Sequence, residues 1–241
     1  MEANAKIEGA AALLLGVSVN YGAREVVSGV DLEFPRNEVT CLVGPGASGK
    51  STLLTVLEAL VDAEAVTEGD DLPSWRGLGM ARVASCARMR QHGLRSARSV
   101  AALLDEVGES AASLDLPLDD LPGSPPPEAI GDLPMAEAPD SLRRALSFAL
   151  VARSGRELLL FDEPLFALPP ALAAWVRGQL LALKRAGQTM VVVTHNLALA
   201  RLLADRVALL VDGELVEADR AEPFFNHARH PRTRQYLCWG G

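Results

Sequence analysis

The stretch Gly44-Pro45-Gly46-Ala47-Ser48-Gly49-Lys50-Ser51-Thr52 matches G-x-x-x-x-G-K-[ST], the spacing of a phosphate-binding loop. Its glycines let backbone N–H groups converge on an anion, and a helix opening at the lysine adds the positive end of its dipole. Lys50 is placed to reach the β- and γ-phosphates of a nucleotide, and the Ser51 hydroxyl to ligate Mg²⁺. Thr52 supplies a second hydroxyl near the α-phosphate. Ala47 stands where many such loops carry glycine, and a methyl group makes a left-handed backbone costly there. Two further polar groups end apolar runs. Asp162 and Glu163 close residues 158–161: Asp162 suits a Mg²⁺ shell, and Glu163 can polarise water for in-line attack on a γ-phosphate. His195 closes residues 190–194, 145 positions after Lys50, where it can contact the γ-phosphate or orient that water.

The elements that must position these groups follow from periodicity. Residues 39–43 read as a buried strand and 53–60 as a helix, the context the loop requires. Upstream, residues 13–19, 26–27 and 30–34 read as short strands, with a turn at Tyr21-Gly22-Ala23-Arg24. Tyr21 reads either as an aromatic capping a small core or as a ring on which a purine stacks. Residues 81–89 suggest a strand leading to Arg90-Gln91-His92, and 100–107 a helix. Residues 116–139 hold seven prolines and predict a surface connection without regular structure. A helix is expected over 141–151 with Asp140 as its N-cap and Leu142, Leu146 and Ala149/Leu150 on one face. Then come a strand at 158–164, a helix at 172–185, a strand at 190–195, a helix at 197–203 and a hairpin around Asp212-Gly213. Strands alternating with helices predict an α/β parallel sheet, with residues 95–150 as a helical exception.

The 241 residues suffice for one well-cored domain or two small ones. With 23 basic against 31 acidic residues the net charge is −8, which argues against a general nucleic-acid binder. Three cysteines without metal-ligand spacing suit a reducing cytosolic setting. The first six residues lack the apolar core of a leader, and no apolar run approaches the ~18–20 residues needed to span a bilayer.

Residues 158–164, ending Asp162-Glu163-Pro164, together with residues 165–170 and Thr194-His195-Asn196, resemble the ATPase subunits of ABC transporters. The resemblance covers essentially the whole chain. It implies a P-loop NTPase fold: a RecA-like core with an antiparallel β subdomain and a small helical subdomain. Residues 10–241 would form one nucleotide-binding domain, with 10–95 and 151–220 as core, 96–150 as helical subdomain and 221–241 as tail. It implies ATP and Mg²⁺ as ligands, Tyr21 as the ring stacked on adenine, and Gln91 as a glutamine reaching Mg²⁺ and relaying to the membrane partner. It also implies transmembrane permease subunits and a second ATPase subunit as partners, and a place on the inner face of the cell membrane. Within the family the tail looks most like the phosphate-importer subgroup, through Ala204-Asp205-Arg206, residues 213–217, Glu222-Pro223-Phe224-Phe225, residues 230–233 and Tyr236-Leu237.

Two motifs depart from the family pattern. Where L-S-G-G-Q belongs, residues 137–141 read Glu-Ala-Pro-Asp-Ser: Pro139 has no N–H to donate, and Asp140 brings negative charge toward a phosphate. In the S-A-L-D segment, Phe166 replaces Ser and Pro169 replaces Asp. Three readings stand: a phosphate-type importer's ATPase, one asymmetric or impaired half of a heterodimer, or a nucleotide-binding regulator without a transport role. ABC-type ATPases of DNA repair need a long coiled-coil insertion, and no heptad run of that length is present.

Overall fold

The computed structural model describes residues 9–61, 73–118 and 126–239. Prolines 122 and 125 and most of the acidic stretch after residue 61 lie outside them. At the centre is β3 (Val39–Val43), buried at every position. It lies in a six-stranded sheet with β5 (Cys86–Met89), β6 (Leu158–Asp162), β7 (Thr189–Val193), β8 (Arg206–Val211) and β9 (Glu214–Arg220), in the order β5-β6-β7-β3-β8-β9. All are parallel except the edge pair β8 and β9, joined through Asp212-Gly213, both at positive φ. The strands read as unbroken apolar runs because both faces are covered. Leu42, Leu158, Leu160, Val191 and Val193 meet Leu53 and Leu57 of helix α1 (Lys50–Val61) on one face. Cys41, Val43, Leu159, Phe161 and Val192 meet the apolar sides of later helices on the other. Three of those helices are α4 (Pro170–Arg185), α5 (Leu197–Leu203) and α7 (Pro231–Trp239).

A second, antiparallel sheet has the order β2-β1-β4, from β1 (Ala10–Tyr21), β2 (Arg24–Pro35) and β4 (Ser74–Ala81). The separate short strands expected over residues 13–34 are two continuous strands of 12 residues each. Gly16, within the expected strand 13–19, and Gly29, between two expected strands, sit at bulges and each take φ of 58°. Their N–H groups donate to Asp31 (2.6 Å) and the Ser18 hydroxyl (2.9 Å). The single strand expected over 81–89 is also corrected, since β4 ends at Ala81 and β5 begins at Cys86 in the other sheet.

The helical region holds α2 (Val100–Asp105), capped by Ser99, and α3 (Asp140–Ala152). α2 stops short of residue 107, where the chain turns through Gly108 at φ 71°. Asp140 is not an N-cap: it is the first helical residue after Pro139, and its carboxylate pairs with Arg143 one turn on. The proline-rich segment is not wholly irregular either. It makes 3₁₀ turns at Pro127–Ala129 and Met135–Glu137, and Ile130 and Met135 bury themselves against Leu142 and Leu146. α4 starts two residues before expected because Pro170 fits a first helical turn, where its missing N–H costs nothing. Among the described residues Cys41, Cys86 and Cys238 form no disulfide. Among the described residues no helix is long and apolar enough to cross a membrane.

The turn from β3 into α1 is wedged between other elements. A Cβ on Gly44 (φ 145°) would lie 1.9 Å from the Leu210 carbonyl oxygen, and one on Gly49 (φ 94°) 2.8 Å from Val27. Ala47 takes φ 57° on the exposed outer side of the turn. The C-terminal helices are tied back to the sheet by Glu217 on β9. Its carboxylate accepts N–H groups from Arg229 (2.8 Å) and His230 (3.0 Å), just ahead of α7. Burial pushes this carboxyl up, but the Thr233 hydroxyl and those N–H groups pull harder, and its pKa falls below the ordinary 4.5.

Two outcomes follow from this geometry. Ala47→Gly relieves a left-handed alanine worth about 1–2 kcal/mol, less the extra entropy glycine loses on folding. It should raise the thermal midpoint by about 1–4 °C in a scanning-calorimetry comparison. Glu217 stabilises the fold while ionised, above its unfolded value, and that contribution is lost as pH falls through the lowered folded value. Glu217→Gln should lower the midpoint by about 3–10 °C at pH ~7, and the gap should close as the pH falls below the ordinary carboxyl value of 4.5.

Candidate functional site

Parallel register brings the carboxyl ends of β3, β6 and β7 to one edge of the sheet, and the chemistry-bearing residues collect there. The loop after β3 is folded around its own lysine. The buried Lys50 ammonium donates to the carbonyls of Gly44 (2.8 Å) and Pro45 (2.6 Å) and to the Ser48 hydroxyl (3.1 Å). Burial pushes the Lys50 pKa down, and the carboxylates of Glu163 and Asp162 pull it back up. One residue on, the Ser51 hydroxyl donates to Asp162 Oδ1 at 3.0 Å. Thr52 is buried beside it. A cleft of about 230 Å³ opens over the loop, lined by residues 47–52 with Arg24 and Val26 of β2.

Glu163 sits just past β6 with φ 50°, a left-handed conformation that costs about 1–2 kcal/mol for a non-glycine residue. Neighbouring elements hold it there. Its N–H donates to the Val193 carbonyl (2.9 Å), and its own carbonyl accepts from the Arg144 guanidinium of α3 (3.0 Å). Its carboxylate accepts the His195 N–H (3.0 Å) and the Thr194 hydroxyl (3.3 Å), and lies 2.9 Å from His195 Nδ1. The Glu163 side chain is 12% exposed and that of His195 61%, so the carboxylate is fixed and the imidazole faces solvent.

The structure therefore brings Gly44, Pro45, Gly46, Ala47, Ser48, Gly49, Lys50, Ser51, Thr52, Asp162, Glu163 and His195 to one edge. Gln91, half-buried, lies in the turn just past β5, whose Met89 pairs with Phe161 beside Asp162. Tyr21 pairs with Arg24 across the β1–β2 turn and lies outside the residues that line the loop cleft.

Four residues escaped the sequence reading. Arg24 and Arg144 are described above. Arg88 of β5 pairs with Glu58 (3.0 Å) and approaches Asp162 (3.5 Å). Tyr236 of α7 accepts the Gly44 N–H at 3.1 Å, tying the tail to the phosphate loop. Burial raises its phenol pKa. Arg88 and Arg144 do leave a signal: a lone charge inside a strand run and a cation on the apolar side of a helix both need a buried partner.

No protein-family model matches the chain. Among curated proteins, the L-cystine transport system ATP-binding protein TcyN of Escherichia coli is 31% identical over 243 residues, covering 90% of this chain and 93% of that one. The phosphate import ATP-binding protein PstB of Pyrobaculum aerophilum is 30% identical over 258 residues, covering 92% and 95%. The arginine transport ATP-binding protein ArgV of Corynebacterium glutamicum is 29% identical over 257 residues, covering 92% and 94%. A solved ATP-binding subunit of an ABC transporter superposes with a TM-score of 0.67 at 19% identity, over 94% of this chain and 93% of that one. The likeness runs nearly end to end in sequence and in fold, and the chain belongs to the ATP-binding subunits of ABC transporters.

Proposed function

We propose that this chain binds and hydrolyses ATP to drive import of a small polar solute through a membrane ABC transporter. The observation that carries this reading is the meeting, at one sheet edge, of the Lys50 loop, the Ser51–Asp162 pair and the Glu163–His195 pair. The carbonyls and hydroxyl around Lys50 hold an ammonium that a nucleotide's β- and γ-phosphates would take over. Tyr21 would stack on the adenine. Glu163 would accept the proton of the attacking water, and His195 would keep that carboxylate oriented and contact the γ-phosphate.

The donor set fits Mg²⁺. Ser51 and Asp162 offer paired oxygens, with Gln91 near their level of the sheet, and the described residues hold no cluster of three or more His, Cys, Asp or Glu that would cage a metal alone. Mg²⁺ takes a few protein oxygens and completes its shell with phosphate and water. Bound there, it supplies charge neutralisation on the phosphates, while Ser51 and Asp162 hold it and Lys50 and Glu163 act beside it.

We assign residues 10–241 to one nucleotide-binding domain, with 10–95 and 151–220 as core, 96–150 as helical subdomain and 221–241 as tail. Its partners are transmembrane permease subunits and a second ATPase subunit, and it works at the inner face of the membrane. The tail pattern pointed to phosphate. Relatives named for cystine and arginine match as well as one named for phosphate, so the solute class is widened to phosphate and amino acids.

A second reading, an asymmetric heterodimer, is favoured by one contrast. The chain's own loop, Asp162, Glu163 and His195 are all present, whereas Pro139, Asp140, Phe166 and Pro169 occupy the segments a family member offers its partner. In that case hydrolysis is weak alone and appears on mixing with a second ATPase subunit carrying L-S-G-G-Q.

Lys50→Ala should weaken ATP binding at least ~10-fold in equilibrium dialysis, through the lost charge-assisted contact. Unchanged affinity would end the nucleotide reading. Glu163→Gln should keep ATP binding and cut phosphate release by ~10²-fold or more. Building Ser-Gly-Gly-Gln at positions 138–141 should raise hydrolysis by the isolated chain, and no gain would mean these residues do not occupy the signature position.

A further inference from the structure

Asp162 has two carboxylate oxygens, and they face different groups. Oδ1 accepts the Ser51 hydroxyl at 3.0 Å, on the side assigned above to the metal. Oδ2 faces Arg88, whose Nη2 stands 3.5 Å away. That separation is longer than the ~2.7–2.9 Å of a seated guanidinium–carboxylate bond. Arg88 is held elsewhere: its Nη1 donates to the Thr55 hydroxyl (2.8 Å) and to Glu58 Oε2 (3.0 Å), and its Nη2 to the Ser51 carbonyl (3.1 Å). The Arg88 side chain is 5% exposed, so water does little to screen it from either carboxylate. Arg90 lies 3.6 Å from the same Glu58 oxygen.

Two buried carboxylates thus share one buried guanidinium, and Glu58 has the closer claim. A permanent cation beside Asp162 opposes a second, mobile cation at the same carboxylate. Its pull is limited because Glu58 and Thr55 hold it on the α1 side. We infer that Arg88 is a positioning residue that competes with Mg²⁺ for Asp162, and that Glu58 restrains it, so the pair sets how much Mg²⁺ the site requires. The inference rests on the metal assignment of Ser51 and Asp162 proposed above.

Equilibrium dialysis of ATP against graded MgCl₂, with an EDTA arm, tests this without reference to turnover. Glu58→Gln keeps the side-chain shape and releases Arg88 toward Asp162. It should raise the half-saturating Mg²⁺ by about 10-fold, the scale of losses seen when groups around metal ligands are altered, while ATP binding in EDTA stays unchanged. Glu58→Asp, which keeps the charge, should stay near wild type. Arg88→Met removes the competing cation and should lower the Mg²⁺ requirement. The double variant should follow Arg88→Met and not Glu58→Gln, an order that general loosening of the fold does not produce. If Glu58→Gln fails to fold, Arg88→Met decides alone: a lowered requirement supports the inference, and an unchanged or raised one overturns it. With folded variants, an unshifted Mg²⁺ requirement in Glu58→Gln overturns it while wild-type Mg·ATP binding leaves the nucleotide reading intact. Failure of the wild-type chain to bind ATP in either arm overturns both.

Discussion

A charge leaves water at tolerable cost only when it is matched, and at the carboxyl edge of this sheet five charges leave water together. Lys50, Arg88, Arg144, Asp162 and Glu163 are buried or nearly so: Arg88 approaches Asp162, Arg144 donates to the Glu163 carbonyl, and the Lys50 ammonium is held by the Gly44 and Pro45 carbonyls and the Ser48 hydroxyl. An isolated buried ion costs several kcal/mol, and a missing partner would transmit that penalty to its neighbours. The backbone geometry of the site follows from this matching. The loop carbonyls of Gly44 and Pro45 turn inward because an ammonium needs them. Glu163 is held in a left-handed conformation by contacts from β7, from the chain that follows it and from α3. A phosphate entering such a site exchanges one set of partners for another, and the lysine need not be desolvated anew.

The matching also explains why remote segments bear on a local motif. Tyr236 and Gly44 are separated by 192 positions, yet one hydrogen bond joins the tail to the first residue of the loop. α7 can make that contact because Glu217 fixes the chain just before it to β9, and β9 pairs with β8, the neighbour of β3. The Asp212-Gly213 turn reaches the other sheet as well: the Gly213 carbonyl accepts the Ser28 N–H at 2.9 Å. The loop is therefore gripped on three sides, which accounts for its intolerance of side chains at Gly44 and Gly49.

Legibility in the sequence tracked how local each cause was. The strands β3, β6 and β7 were readable because double-sided burial demands unbroken apolar runs, although the expected 158–164 and 190–195 overran the ends at Asp162 and Val193. The loop was readable because its glycines and lysine act within nine residues. Residues 28–29 were left between two expected strands because a glycine at a bulge and a glycine at a turn look alike until the partner strand is known. Asp140 misled because a carboxylate at a helix start satisfies either a backbone N–H or a cation one turn on, and Arg143 offered the stronger partner. Arg88, Arg144 and Tyr236 were given no site role because their partners lie on other elements, and only the order β5-β6-β7-β3-β8-β9 and the packing of α3 and α7 supply them; Arg24 joins the cleft only through the placement of β2 beside the loop.

The same distinction separates the buried residues of the sheet edge from exposed ones such as Asp140 and Phe166. Lys50 and Asp162 are buried charges whose partners are fixed within the fold. Replacing Asp162 or Lys50 would strand a buried partner, so stability defends them along with function. Asp140 is different: its side chain is 83% exposed, and its one ion pair is to a neighbour a turn away. Phe166 also faces solvent, covered on one side by the Arg144 guanidinium at 5.3 Å from its ring centroid. Exposed residues such as these can change at little cost to the isolated fold, whereas a buried charge cannot lose its partner so cheaply.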